Sequence, residues 1–544
     1  MRTYVTRFAT AGALLGLAAC GERLNIANVN NPDVARAYAT PAGVEGVIAG
    51  LGVQLNNTQR ATESVNTQAK ILAGETFASV ANFGMAARAV IPRSVISNEL
   101  GNDNQTGNLA NFNQFSRVTR TASNALAALD RLVAGGGTLG SPAQNARGKA
   151  FGYYILGQAL GYLSLAYDSA AIVTPATPSD VVPGLSSAAA VNAAALAMLD
   201  SAIATANAPA ATSGSNGFPL PNTWLNGQSV TRDQFIQLAR SYKARIRAGV
   251  ARTPAQRAAI NWTEVIADAN AGIKSDFTVN VGGGSGWTAQ FDLTQIYVVG
   301  GWHSMSPLYY GMADVSGGYQ SWLATPRDSR NAFLIVTPDK RWPQGTTRAA
   351  QQANTPSNTL PPGVYVRNRP TGDDVPIAGY GDSYYDHRRY GAANLAANTG
   401  PYTEMSATEI AMLAAEGYIR TNNLPAAIAL VNASRARNGL DALPALTSAT
   451  TPYSTDKSTC VPQVPQAPNF TTTACGSLLE AMKYEKRMET AFTGYFIWFA
   501  DSRGWGDLVE GTVVEWPVPY QEMQARQQTY YNGTNRAARG TYGF

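Results

Sequence analysis

Residues 405–440, MSATEIAMLAAEGYIRTNNLPAAIALVNASRARNGL, decide how the chain folds. Positions 404–420 and 425–437 read as two helices, and TNNL (421–424) between them has the length of the link in an antiparallel helix pair. Such a pair leaves an apolar face of each helix uncovered. Further pairs must therefore stack on it, as in tetratricopeptide-like units.

Working outward, the sequence supplies those partners. Segment 41–55 opens after Thr40 with Thr then Pro, a cap followed by a first helical position. Across 111–133, Phe112, Phe115, Val118, Ala122, Leu126, Leu129 and Leu132 follow the i, i+3, i+4, i+7 spacing of one buried face. Segment 143–167 repeats the spacing with Phe151, Tyr154, Ile155, Leu160 and Leu163. Segments 187–206 (alanine-rich), 231–252, the shorter 261–274 and 477–491 are also helical in pattern. No strict repeat consensus is met, so helix pairing is expected but a regular array is not. From 278 to 401 glycine, proline, asparagine and aromatic residues dominate, as in VGGGSGW (281–287) and VVGGWHS (298–304). So long a stretch without helical period reads as a functional, irregular lobe of loops with short strands. The expected fold is mainly α. A scaffold of tetratricopeptide-like helix pairs (about 41–274 and 402–510) carries a loop-rich lobe (about 275–401), all within one unit, 41–544.

The N-terminus, MRTYVTRFATAGALLGLAACGERL, has Arg2 and Arg7 ahead of an apolar run from Phe8 to Ala19. That run suits a signal-peptide core and falls short of the ~20 residues a bilayer span needs. No later segment is expected to span either. Leu17-Ala18-Ala19-Cys20 has the form of a bacterial lipobox, which predicts a signal peptide over 1–19, a lipidated Cys20 and a polar tether over 20–40. Acyl chains at one cysteine would anchor the protein to a membrane. The alternative is an ordinary secretory signal with Cys20 present by chance. A hydrophobic content of 45% and charged content of 14% fit a globular chain with a sizeable core and argue against disorder. The net charge of +5 includes both leader arginines, and no basic block points to nucleic acid. Of three cysteines, Cys460 and Cys475 remain, either as a disulfide or as two free thiols. With only His303 and His387 as histidines, and neither near the cysteines, no metal or cofactor is expected.

Three C-terminal segments together resemble the SusD/RagB family. In 405–440 the matching residues are Ala415-Glu416-Gly417 and Asn432, Arg435 and Arg437, with Gly417 where the family usually has alanine. In LLEAMKYEKRMETAFTGYFIWFADSRGWG (478–506) they are Glu485, Arg487, Glu489, Trp498, Asp501, Arg503 and Trp505. In WPVPYQEM (516–523) they are Pro517, Pro519 and Glu522. The aromatic cluster Phe496, Trp498, Phe499 and Trp505 reads as core, with Lys486 and Arg487 serving nearby carboxylates. The resemblance implies a surface lipoprotein of an outer membrane, sitting as a lid on a TonB-dependent (SusC-like) transporter. Such a protein captures oligosaccharides or peptides without covalent chemistry. No G-x-S-x-G, H-E-x-x-H or P-loop contradicts this.

Aromatic faces flanked by amides and guanidinium groups suit sugar recognition. On that ground the candidate ligand-binding residues are Trp287, Trp322, Tyr319 and Trp302 in the lobe, and Asn82, Phe83 and Arg88 in the 75–104 loop. The competing expectation is that these aromatics pin loops to the frame. Two other functions compete with capture: a helical-repeat scaffold of an outer-membrane assembly that binds no nutrient, and a hydrolase.

Overall fold

The computed structural model describes residues 34–61, 63–78, 85–101, 105–212, 217–289, 304–355, 360–372 and 383–544. Cys20, Asn82, Phe83 and Trp302 lie outside the described residues.

Helices begin where the sequence offers a cap. In α1 (Pro41–Gln59) the Thr40 hydroxyl accepts from the Gly43 N–H at 3.1 Å. Ser141 does the same for α3 (Pro142–Ala166), and Thr231 forms a reciprocal capping box with Gln234 at the start of α5 (Arg232–Gly249). Together with α2 (Gln105–Ala134), α4 (Ala188–Asn207) and α6 (Trp262–Asn270), these helices pack in succession, each against the next. The row continues through α7 (Ala407–Arg420), which packs on α6, to α8 (Leu424–Arg437) and α9 (Leu478–Thr490). Helix α3 is buried almost all round because glycines let its neighbours close in. A Cβ on Gly157 would lie 2.7 Å from Leu199 of α4, and one on Gly161 would lie 2.3 Å from Ile246 of α5. The helix-pair scaffold expected from the sequence is thus present.

Three expectations need correction. Helix α7 starts at Ala407, because after the short pair β1 (Ser169–Ala171) and β2 (Leu185–Ser187) ahead of α4, a second pair forms in which Gly400–Met405, strand β6, runs antiparallel to β3 (Phe277–Val281). Glu404 in that strand pairs with Arg60 at 2.7 Å, and Ser406 behind it supplies the helix cap. Ile497–Trp505 is a helix, α10, entered through Phe496 at φ 64°, whereas the helical pattern read from sequence ends at 491. Finally, α4 is long and apolar enough to cross a membrane by length and composition. Here one face packs on α3, and its sole charge, Asp200, pairs with Lys243 at 2.6 Å.

The lobe contains β4 (Val366–Asn368) paired with β5 (Tyr385–His387) and several short helices, among them Gly318–Ala324 and Arg348–Asn354. One apolar cluster runs from Val44 through the lobe to Tyr542, so lobe and scaffold share a core. Buried ion pairs cross it. Arg341 of the lobe reaches Asp339 at 2.8 Å and Glu485 and Glu489 of α9 at 3.1 Å. Arg257 grips Glu416 at 2.5 Å and Asp501 at 3.1 Å, and the Trp505 indole N–H donates to Glu416. Lys486 pairs with Asp501, and Arg487 with Asp507. Phe496, Trp498, Phe499 and Trp505 are all buried. The residues that carry the family resemblance are therefore scaffold. Cys460 and Cys475 are bonded, with Cα atoms 5.7 Å apart, beside the strand pair β7 (Gln463–Pro465) and β8 (Thr473–Cys475).

Candidate functional site

A cleft of about 730 Å³ opens where the 85–101 loop, the lobe and the C-terminal segment meet. That volume is within the usual range for small-ligand clefts. Its walls come from residues 91–93, 323–327 with Arg330, 469–471, 509–511 and 536–544, and none of them lies in a strand.

Each wall is built from local chemistry. Arg93 is buried and donates through its two terminal nitrogens to the carbonyls of Arg88 and Leu72. Directly behind it, Arg88 gives its Nε–H to Gln68 at 2.9 Å and has no carboxylate partner among the described residues. Burial and the adjacent Arg93 charge lower its pKa to about 10. On the lobe side, the helix Gly318–Ala324 exposes its last carbonyls, and Arg330 caps them by donating to Leu323 at 3.0 Å and Thr325 at 2.9 Å. The Arg330 guanidinium lies 4.3 Å over the Trp322 ring, which is layered with Tyr319 and Phe333. Tyr319 in turn donates to the carbonyl of Leu308 at 2.5 Å. Opposite, Arg539 lies 5.0 Å over Phe470, whose backbone is left-handed at φ 56°. Gly543 abuts that ring so closely that a Cβ there would come within 2.2 Å of it.

A second, larger cleft of about 1190 Å³ shares Phe470, Arg536 and Arg539 with the first. It reaches Arg252, which pairs with Glu515 at 3.0 Å, and Asp168. Burial, opposed by the Tyr531 hydroxyl, raises the Asp168 carboxyl to about 6.

The structure places the residues singled out from sequence in two regions. Tyr319, Trp322 and Arg88 form the layer behind the first cleft, all buried, and Trp322 and Arg88 touch the arginines that face it. Trp287 is elsewhere. It closes the glycine-rich turn 282–287, which Asn57 of α1 ties down, and it borders a water-sized cavity of about 30 Å³ beside Arg60 and Glu404. As ligand-contacting residues, Arg93, Arg330, Phe470, Arg536 and Arg539 were not picked out by sequence reasoning. No common sequence signal marks them: Arg93 follows Pro92 and Arg539 precedes Gly540, but Arg330 and Arg536 stand beside neither residue type.

No family model and no curated protein matches the sequence. Solved structures do. The chain is similar to a SusD homolog from Parabacteroides distasonis ATCC 8503, with 14% identity and a TM-score of 0.53 over 84% of each chain. It is similar to a SusD superfamily protein from Bacteroides thetaiotaomicron VPI-5482, with 15% identity and a TM-score of 0.51 over 91% of this chain and 98% of that one. A SusD homolog from Bacteroides uniformis ATCC 8492 gives 15% and 0.51 over 90% and 98%.

Proposed function

We propose, from the SusD-like fold that this chain carries, that it is a capture protein of the outer-membrane surface. Lipidated at Cys20 and tethered by residues 20–40, it takes oligosaccharides or peptides into the cleft between loop, lobe and C-terminal segment. It delivers them to a TonB-dependent transporter of the SusC type, over which it acts as a lid, and performs no covalent chemistry on them.

One observation carries the reading. Loop residues converge on an open cleft while the frame's own charges are consumed in internal pairs. Binding residues concentrate on such loops, held by a rigid scaffold. Among the described residues the first cleft's lining includes one carboxylate side chain, Glu510, and the adjoining cleft adds Glu515, tied to Arg252, and Asp168, tied to the Tyr531 hydroxyl, whereas glycoside hydrolysis ordinarily uses two carboxylates flanking one bond. Binding without turnover is favoured accordingly.

The test is an array of oligosaccharides and peptides probed with the full chain, followed by product analysis of any ligand found. Saturable binding without turnover is expected. Turnover would overturn the non-enzymatic reading, and absence of any ligand would favour a purely structural scaffold. Cys20→Ser is expected to release the protein from membranes, and continued retention would refute the lipid anchor. Co-purification of a TonB-dependent transporter with the wild-type chain from solubilised outer membranes is expected, and its absence would count against the lid role.

A further inference from the structure

The sign of the charge around the first cleft points to a narrower class of ligand. Across the whole chain the ionisable residues nearly balance, 41 basic against 36 acidic. Inside the fold many arginines are matched by carboxylates, as at Arg257, Arg341 and Arg245, and others by backbone carbonyls, as at Arg503. The cleft is weighted to one sign. Arg93, Arg327, Arg330, Arg536 and Arg539 line it, Arg327 pairing with Asp328 beside it, and among the described residues Glu510 is the one acidic side chain in the lining. The main-chain oxygen of Phe544 accepts from the Glu510 N–H at the wall, and the larger cleft adds Asp168 and Glu515, the latter paired with Arg252, so a surplus of cations remains across both.

Two of these arginines are exposed and have no carboxylate partner among the described residues. Arg536 is one; Arg539 makes only a long bond, 3.4 Å, to the carbonyl of Gly543 while lying over Phe470. Both also border the larger cleft, where Arg503 is buried with backbone carbonyls as its acceptors. Every cation in the two linings is an arginine. Guanidinium is the group that meets carboxylate or sulfate through paired parallel hydrogen bonds and stays charged at any working pH.

Resting on the capture reading above, we infer that the joined clefts accept an acidic oligosaccharide, one bearing uronate carboxylates or sulfate esters, with Arg536 and Arg539 as the residues that read the anion. A glycan is favoured over an acidic peptide by the walls themselves. They offer the half-buried Phe470 ring and short polar side chains (Asn469, Thr471), and the β-pairing in the wall among the described residues is the isolated Val513–Arg536 bridge, too short to receive an extended peptide.

The experiment uses the full chain in detergent micelles and titration calorimetry with four probes: tetragalacturonate, a heparin-derived tetrasaccharide, cellotetraose and hexaglutamate. Binding of at least one acidic glycan is expected, weakening as salt rises. The paired substitution Arg536→Gln and Arg539→Gln should lower that affinity by at least about tenfold, since each removes a charge-assisted hydrogen bond. Arg232→Gln, an exposed arginine outside both linings, should leave it unchanged, and circular dichroism should match the wild type for all variants. Acidic-glycan binding unaffected by the double variant would overturn the site. Hexaglutamate bound in place of the glycans would overturn the glycan class. Cellotetraose bound alone would sink the inference while leaving nutrient capture standing. Silence from all four probes would also overturn it, with the wider array deciding the capture reading separately.

Discussion

Replacing Arg341 with methionine should loosen the lobe from the frame. Arg341 is 1% exposed, and its guanidinium serves Asp339, Glu485 and Glu489, which are 0%, 0% and 8% exposed. Methionine keeps the apolar stem but leaves three buried carboxylates facing one another. Removing one partner of a buried ion pair typically costs about 3–5 kcal/mol. The remaining neighbours do not cover this loss. Tyr484 already donates to Asp339 at 2.7 Å, Ser434 to Glu485 at 2.6 Å, and Asn438 to Glu489 at 3.2 Å. Denaturant titration should therefore show a loss at the upper end of that range. The loss should also depend on pH in a definite direction. Burial and the Asp339 charge already raise the Glu485 carboxyl above its ordinary value even with Arg341 present. Without the arginine the folded state takes up protons more readily than the unfolded chain, so its stability falls as pH rises. The deficit against wild type should be greater at pH 8 than at pH 5, and Glu485→Gln added to the methionine variant should recover part of it. A deficit under about 1 kcal/mol, or one independent of pH, would refute the account of Arg341 as the clamp between lobe and frame.

Three further outcomes are expected. His387 is buried beside Phe492 with Arg388, Arg389 and Lys70 around it, and burial followed by those charges holds its pKa well below 6.5. The unfolded chain binds that proton first, so stability present above pH 6.5 is lost as pH falls below it; His387→Leu should flatten the denaturation profile there, and an unchanged slope would contradict this. Glu416 is held at about 2, burial being outweighed by Arg257, so its contribution, about 3 kcal/mol by linkage, is present above pH 4.5 and disappears as pH falls towards 2. Glu416→Gln should remove that acid limb in a pH-jump unfolding series. Replacing Cys460 and Cys475 by serine should cost about 3 kcal/mol for a separation of 15 residues, with faster amide exchange across 460–475; equal exchange in both proteins would show that the bond constrains nothing.

The helical frame was legible because its signals are local. Thr40-Pro41, Ser141-Pro142 and Thr231 announce starts, and the faces through Phe112–Leu132 and Phe151–Leu163 hold their period over several turns. The end of strand β6, Glu404 and Met405, was read as the start of a helix because its partner β3 lies more than a hundred residues upstream, and nothing near Glu404 reveals that pairing. The cleft was only half legible. Reasoning from aromatic loops reached Tyr319 and Trp322, yet these rings serve as the bed under Arg330. An exposed platform and a buried support look alike in a sequence, since both place a large ring among glycines. The arginines that face the cleft come from the 85–101 loop, the lobe and the C-terminal segment, and only the assembled fold brings them together.

The pairing of β3 with β6 has an architectural meaning of its own. Val281 faces Gly400 across the ladder, so the long excursion from 282 to 399 departs and returns at neighbouring points. Joining two ends that already lie side by side asks for no particular length of chain. What the frame does demand of the excursion is the apolar surface it buries against the helices and a guanidinium to meet the acidic pair on α9.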